Sequence, residues 1–280
     1  MTDITGLHNT WTVKDILPTG YWLHNETLGK LFLPTKNVDT ELQSGDKIEA
    51  IATHDENNNP VADTRIPESG LNALYLLTAK DAIKTGAFFT WAMTRDLYVP
   101  KKWQESPINP GMKYLVYVFV DPQSQKIVGA TKLHKFYPET SEWLKVDQDV
   151  TLTVFAKTDL GYKVLIDDTA LGLLFHSDVS VSLRIGQEVP GVIKNRREDG
   201  KLDVGLKGQT RENRNDLQSA ILDDLAAHGG LSTLTDKSSP DDIFKRFGVS
   251  KGAYKKAIGN LYKNKKIAIS KDSITLQKGN

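Results

Sequence analysis

The sequence predicts a mainly β chain: three tandem five-stranded barrels of the OB kind, followed by a C-terminal winged helix. Three observations carry this reading. One glycine-spaced strand pattern occurs three times. Helical periodicity is weak throughout 1–207. After about residue 213 the pattern turns helical and lysine-rich, and it closes with two short apolar runs.

The repeated pattern has a fixed metric. The first copy runs GYWLH, LGKLFLP, SGDKIEA, NNNPVADTRI. The second runs GAFFTW, RDLYVP, PGMKYLVYVFV, QSQKIVGATKL. The third runs GYKVLIDD, LGLLFHSDV, IGQEVPGVI, REDGKLDVGLK. The glycine pairs Gly20 and Gly45, Gly86 and Gly111, and Gly161 and Gly186 are each 25 apart. A basic residue, Arg65, Lys132 or Lys207, follows the second glycine by 20 or 21 positions. Turn residues stand before the last run each time: Asn57-Asn58-Asn59-Pro60, Asp121-Pro122, Asp199-Gly200. Five short strands with glycines at the bends suit a small closed barrel. Such a unit buries only about 60% of its unfolded surface, so the units are expected to pack on one another. The expected domains are 1–67, 68–134, 145–210 and 214–280, with HKFYPETSEWLKVD, residues 134–147, as a longer link. Of Phe88 and Phe89 one must point in and one out. Tyr117 and Phe119 read as barrel interior, and Trp11, Trp103 and Trp143 as packing anchors at unit junctions.

The last segment reads helix, helix, helix, hairpin. RNDLQSAILDDLAAHGG places Leu217, Ile221, Leu222 and Leu225 on one face, and Gly229-Gly230 ends it. Ser239-Pro240-Asp241-Asp242 starts a second helix, with an N-cap, a proline in the first turn and acids at the positive end. It is expected to stop at Gly248. Ser250 is expected to cap a third helix, KGAYKKAIGNLYKNKK, striped with Tyr254, Ile258, Leu261 and Tyr262. KIAIS and SITLQ form the hairpin, turning at Lys271-Asp272. In such a winged helix the third helix is the recognition helix.

Composition sets the outer limits. Over 280 residues, 36 Lys and Arg face 35 Asp and Glu, which excludes binding nucleic acid by bulk charge alone. The balance hides a polarity: residues 1–65 are net acidic and 214–280 net basic. Apolar residues at 39% and charged residues at 25% place the chain among globular proteins rather than disordered ones. There is no cysteine, so disulfides, Cys-based zinc sites and thiol catalysis are excluded. The run YLVYVFV, 114–120, falls far short of the ~20 residues that span a bilayer. The start lacks a secretory signal pattern, so a cytoplasmic protein with no membrane partner is expected. His8, His24, His54, His134, His176 and His228 are scattered without metal-ligand spacing. No GxxxxGK[ST], GxGxxG or GxSxG motif occurs. The adjacent pairs Asp167-Asp168, Asp223-Asp224 and Asp241-Asp242 read as a turn, a helix face and a helix start. No metal, no cofactor and no enzymatic activity is the resulting expectation.

Several strings resemble the conserved virulence factor B family of bacterial RNA-binding proteins. They are GAFFTW with DLYVPKKWQ, the stretch from TDLGYKVLID to DGKLDVGLK, and DKSSPDDIFKRFGVSKGAYKKAIGNLYK. The resemblance covers nearly the whole chain, more strongly in 75–276 than in 1–65. It implies three tandem S1-type OB-fold barrels followed by a winged-helix domain, and RNA binding that regulates gene expression after transcription, without enzymatic activity. S1-type domains present an aromatic after the first glycine, a histidine on the next strand and a base on the last. Phe88 and Lys132 match in the second unit, where Val99 stands at the histidine position. His176 and Lys207 match in the third, where Lys163 replaces the aromatic beside Tyr162. In the first, Trp22 and Arg65 match, and Leu33 replaces the histidine.

An open barrel face binds single strands by stacking bases on rings, at ~1–3 kcal/mol per base, while flanking cations track the phosphates. The expected RNA-binding residues are Phe88, Trp91, Lys132, Tyr162, Lys163, His176 and Lys207, with Lys194, Arg196, Arg197 and Lys201 on the charged hairpin of the third unit. On the winged helix they are Lys251, Tyr254, Lys255, Lys256 and Lys263. The expected partner is single-stranded RNA. Two alternatives stay open: a DNA-binding regulator led by the winged helix, and an adaptor that holds protein partners in an RNA-processing or ribosome-associated complex.

Overall fold

The computed structural model describes residues 4–179, 182–207, 211–247, 249 and 251–277, with side chains of the first helix from 217 onward. It divides into two compact units, 1–136 and 137–280.

In the first unit, β1 (His8–Leu17), β2 (Gly20–Asn25), β3 (Gly29–Pro34), β4 (Lys47–His54) and β5 (Pro60–Asp63) close into a barrel of order β1-β2-β3-β5-β4. A second sheet follows, of β6 (Ala73–Ile83), β7 (Gly86–Thr90), β8 (Leu97–Pro100), β9 (Lys113–Asp121) and β10 (Lys126–Ala130), in order β10-β9-β6-β7-β8. In the second unit, β11 (Asp149–Lys157), β12 (Gly161–Ile166), β13 (Ala170–Phe175), β14 (Glu188–Arg196) and β15 (Leu202–Leu206) repeat the closed barrel. The expected triplication is therefore present strand for strand.

The second glycine of each pair has the same structural place in all three sheets. Gly45, Gly111 and Gly186 sit at φ +96°, +81° and +80°, in the turns before β4, β9 and β14. Their N–H groups donate to the carbonyls of Val13, Ala79 and Val154 at 2.8, 2.8 and 2.7 Å. Each of those acceptors stands at a register shift in the first strand of its sheet. Such a bulge bends the strand around the barrel. In each barrel the second glycine of the pair, at a turn where it carries no Cβ penalty, is thus locked to the same bulge.

The second sheet departs from a hydrogen-bonded barrel. β3 and β13 pair in parallel with β5 and β15, closing the other two. β8 and β10 lie side by side with no ladder between them. Their seam is side-chain packing: a Cβ on Gly129 would stand 2.8 Å from Val99 Cγ2 and 3.0 Å from Leu97 Cδ2. β8 is only four residues long, and Arg95 just before it donates to the Asp55 carbonyl beyond β4, at 2.9 Å.

Alternation sorts the side chains. Trp11, Leu23, Leu31 and Leu33 fill the first barrel; Phe89, Val99, Val116 and Val118 the second; Leu152, Val154, Val164 and Leu174 the third. Three expectations are corrected. Trp11 is a fully buried barrel-core residue rather than a junction anchor. Tyr117 and Phe119 alternate with Val116 and Val118, and so face out of the barrel into a separate cluster with Trp103 and Phe136. There Tyr117 stacks on Phe136 at 4.2 Å between ring centroids. Trp143 is 62% exposed and anchors nothing.

The C-terminal domain comprises α1 (Arg211–Ala227), β16 (Leu231–Ser232), α2 (Pro240–Phe247), α3 (Lys251–Lys263), β17 (Ile267–Ile269) and β18 (Ile274–Leu276). After α1, Gly229 and Gly230 take φ +71° and +83°, and Gly230 N–H donates to Leu225 O at 2.7 Å, a left-handed stop. Ser239 Oγ accepts from the Asp242 N–H at 3.1 Å, capping α2. The sheet has three strands, β16-β18-β17, rather than the expected two; two residues of β16 are too short to show an alternation. The expected helix stop at Gly248 and cap at Ser250 lie outside the described residues.

Candidate nucleic-acid interface

Strand register identifies equivalent positions in the three barrels. Gly20 pairs with Pro34, Gly86 with Pro100, and Gly161 with Phe175. The next residues, Thr35, Lys101 and His176, each open a 3-10 turn. Each donates its N–H to the carbonyl just before the glycine, at 3.1, 2.9 and 3.1 Å. His176 therefore corresponds to Thr35 and Lys101, two residues beyond the Leu33 and Val99 of the sequence alignment. Leu33 and Val99 are core residues. The three C-terminal bases also lie past the last strand rather than on it: Arg65 after Asp63, Lys132 after Ala130, Lys207 after Leu206.

The second residue after the first glycine faces outward in every barrel. It is Trp22, Phe88 and Lys163, while Tyr21, Ala87 and Tyr162 beside them are buried. Across the strand pair these outward residues meet Phe32, Tyr98 and Leu173. Trp22 and Phe32 have ring centroids 5.3 Å apart, and Phe88 and Tyr98 5.1 Å. Barrels 1 and 2 thus each carry a two-ring platform at the same place, and barrel 3 carries a cation and a leucine there. Sequence reasoning missed Phe32 and Tyr98. A signal existed: each stands 12 positions after its glycine, and antiparallel pairing of the two runs brings it opposite the outward ring.

The glycine before each platform is a steric requirement. A Cβ on Gly86 would stand 2.5–2.6 Å from ring atoms of Tyr98. The Tyr98 ring occupies the space a side chain would take.

Several expected contact residues are committed elsewhere. Tyr162 is 3% exposed and belongs to the barrel core; its hydroxyl accepts from the Leu183 N–H at 3.2 Å, so its ring offers no open face. Hydrogen bonding to Ser182, the main cause, holds its phenol below the usual tyrosine value. Tyr254 is also a core residue, 1% exposed and stacked on Phe247. Its hydroxyl donates to Leu234 O at 2.8 Å, and burial pushes its pKa up to about 12. The sign follows: between the ordinary tyrosine value of 10 and about 12 the unfolded chain loses a proton that the folded chain keeps, so stability falls as pH rises. The expected loss is about 2–3 kcal/mol across that window. Replacing Tyr254 by Phe should abolish this slope while costing about 0.5–1.5 kcal/mol at neutral pH, read by chemical denaturation at pH 7 and above pH 10.

Four cations of the third barrel have carboxylate partners. Lys194 meets Asp178 at 2.7 Å, Arg197 meets Asp203 at 2.6 Å, Lys201 meets Glu139 at 3.1 Å and Lys207 meets Asp149 at 2.6 Å. Arg196 donates to Leu144 O at 2.7 Å. Lys132 of the second barrel donates to Lys102 O at 3.1 Å, and Arg65 of the first is held by Asp39 and Thr94. Trp91 is half-buried and its indole N–H donates to Arg95 O at 2.7 Å. His176 is exposed, with Nε2 2.9 Å from Thr158 O and its ring edge-on to Tyr162.

On α3 the polar face presents Lys255, Lys256, Lys263 and the 56%-exposed Tyr262; Lys251 is half-buried. Lys255 stands 4.0 Å from Asp236. Among the described residues Lys256 and Lys263 have no carboxylate within ion-pair distance. α3 lies against the turn that carries His176, so the structure brings together two sets of expected residues from distant parts of the chain. Among the described residues no group of three or more acidic or histidine side chains is placed to hold a metal, and no helix is long and apolar enough to cross a membrane.

Barrels with outward rings ahead of a basic winged helix define a class of modules that bind nucleic acid. Two family models agree. Residues 5–65 match the S1 domain and residues 219–276 the CvfB-like winged helix domain. Conserved virulence factor B of Staphylococcus aureus is 25% identical over 266 residues, 89% of this chain and 85% of the relative. The same-named protein of Staphylococcus epidermidis is 27% identical over 70% of this chain and 68% of its own. The uncharacterized protein YitL of Bacillus subtilis is 23% identical over 89% and 85%. A solved multidomain protein with nucleic acid binding domains from Streptococcus pneumoniae aligns over 99% of both chains, at 22% identity and a TM-score of 0.44. The chain is similar to conserved virulence factor B along most of its length and carries that family's winged helix domain.

Proposed function

We propose that this protein is a non-enzymatic, cytoplasmic regulator that binds single-stranded RNA and acts on gene expression after transcription. The observation that carries the reading is the two-ring platform at equivalent positions of barrels 1 and 2. Rings on an open sheet stack any base, and they need no net positive charge. A duplex hides its base faces, so the platforms favour a single strand. The relatives' name, conserved virulence factor B, supports a regulatory role. The winged helix adds phosphate contacts through Lys256 and Lys263.

The test is a titration of labelled single-stranded RNA and a matched DNA duplex at several salt concentrations. Tighter binding of the single strand, with a shallow dependence of log affinity on log salt, is expected. Preference for the duplex with a steep slope would move the function to the winged helix.

The paired cations of barrel 3 give a second expectation. The ion pairs of Lys201 and Lys207 are exposed, and such pairs contribute about 0–1 kcal/mol. Replacing Lys201 and Lys207 by Ala should leave the unfolding free energy within about 1 kcal/mol per site. If both touch phosphate, the salt slope should fall by about 0.7 for each lysine removed.

A further inference from the structure

The platform of barrel 2 continues into a groove of about 290 Å³ at its junction with barrel 1. Phe88, Trp91 and Tyr98 supply rings, Thr53 and His54 come from β4 of barrel 1, and Lys126 stands on β10. The loop that shapes the groove is pinned to barrel 1 at three points. Thr94 N–H donates to the buried Asp63 carboxylate at 3.0 Å. Arg65 bridges Thr94 and Asp39. Arg95 donates to Asp55 O at 2.9 Å. Trp91 is then fixed by its own bond to Arg95 O. A groove built this way exists before a ligand arrives, so binding loses little side-chain freedom.

Size and chemistry select the occupant. The groove lies at the lower end of small-ligand sites, too small for a helix or a duplex. Its ring walls match the flat face of a nucleobase, and the hydroxyls of Thr53 and Thr85 match base edges. Arg95 and Lys126 bring positive charge, while the Asp96 carboxylate is neutralised by Lys80 at 2.7 Å. We infer that the groove takes one unpaired nucleobase of the strand lying on the Phe88–Tyr98 platform, so that barrels 1 and 2 read RNA as one body. This rests on the single-strand reading above and adds a pocket that crosses between barrels.

The probe is a twelve-nucleotide single-stranded RNA carrying 2-aminopurine at successive positions, titrated into the full chain. With the native protein, one position should change its fluorescence far more than its neighbours. Thr53→Trp fills the groove from barrel 1 and leaves the platform in place; it should remove that position-specific signal and weaken binding about tenfold. Lys126→Ala, which alters no packing in the core, should weaken binding about threefold and serves if Thr53→Trp does not fold. Strand binding that is normal in both variants, or a fluorescence change spread evenly over all positions, overturns the groove assignment and leaves the single-strand reading intact. No strand binding by the native protein overturns both.

Discussion

Replacing Phe88 and Tyr98 together by Ala should weaken single-stranded RNA binding by at least about 30-fold, with one base stacked on each ring. The arithmetic rests on ~1–3 kcal/mol per stacked base, so two rings lost amount to about 2–6 kcal/mol. The variant should still fold. Phe88 and Tyr98 are half-buried on the outer sheet face, and the barrel core is built by Phe89, Leu97 and Val99 instead. Fluorescence anisotropy with labelled RNA, beside a thermal melt, separates the two effects. Affinity unchanged in a folded double variant would show that bases do not stack on barrel 2. Trp22→Ala with Phe32→Ala asks the same question of barrel 1, whose acidic surroundings make a smaller loss the expected result.

The second large effect is on stability. Gly161→Ala should destabilise barrel 3 by about 3 kcal/mol, at the top of the overpacking range. The added Cβ would stand 2.1 Å from the carbonyl oxygen of Leu174 and 2.8 Å from Cα of Phe175. Both are backbone atoms of β13, so relief requires prying β13 from β12 and breaking the pairing from Gly161 to Phe175. For a domain of this size such a loss lowers Tm by roughly 12–24 °C. Gly86→Ala is the informative contrast. There the three atoms nearest to the Cβ all belong to Tyr98, a side chain that can swing away. The expected outcome is a small change in Tm with a several-fold loss of RNA affinity, since the platform is displaced while the barrel survives. Equal Tm losses for both variants would contradict this division.

Much of this molecule was legible in its sequence because the signals were local. The second glycine of each repeat marks a positive-φ turn, and its recurrence 25 positions after the first is visible in the sequence. Likewise Ser239, Pro240 and the Gly229-Gly230 stop mark helix ends through the chemistry of a few neighbouring residues. Strand alternation put one of Phe88 and Phe89 in and one out, and the structure buries Phe89. Alternation failed at Tyr117 and Phe119 because a second apolar cluster covers the outer face there, and alternation cannot say which face is the barrel's inside.

The candidate site was legible only in part. Phe88 stood out as a motif aromatic, but its partner Tyr98 lies on another strand, and only the register places the two rings 5.1 Å apart. The histidine equivalence was misplaced by two residues because hydrophobic strings align on core positions, whereas Thr35, Lys101 and His176 are matched by a backbone hydrogen bond. Lysines and arginines on the third hairpin looked available as a run of charges; Lys194, Arg197 and Lys201 instead meet Asp178, Asp203 and Glu139. The sequence by itself determined the number of barrels, the winged helix and the residue types that face solvent, since these follow from periodicity and turn chemistry within short windows. Only the tertiary structure decided which rings form a platform, which cations already hold a carboxylate, and where barrels 1 and 2 enclose a groove. Those are contacts between residues from six to 58 positions apart, and a linear pattern carries no record of distance in space.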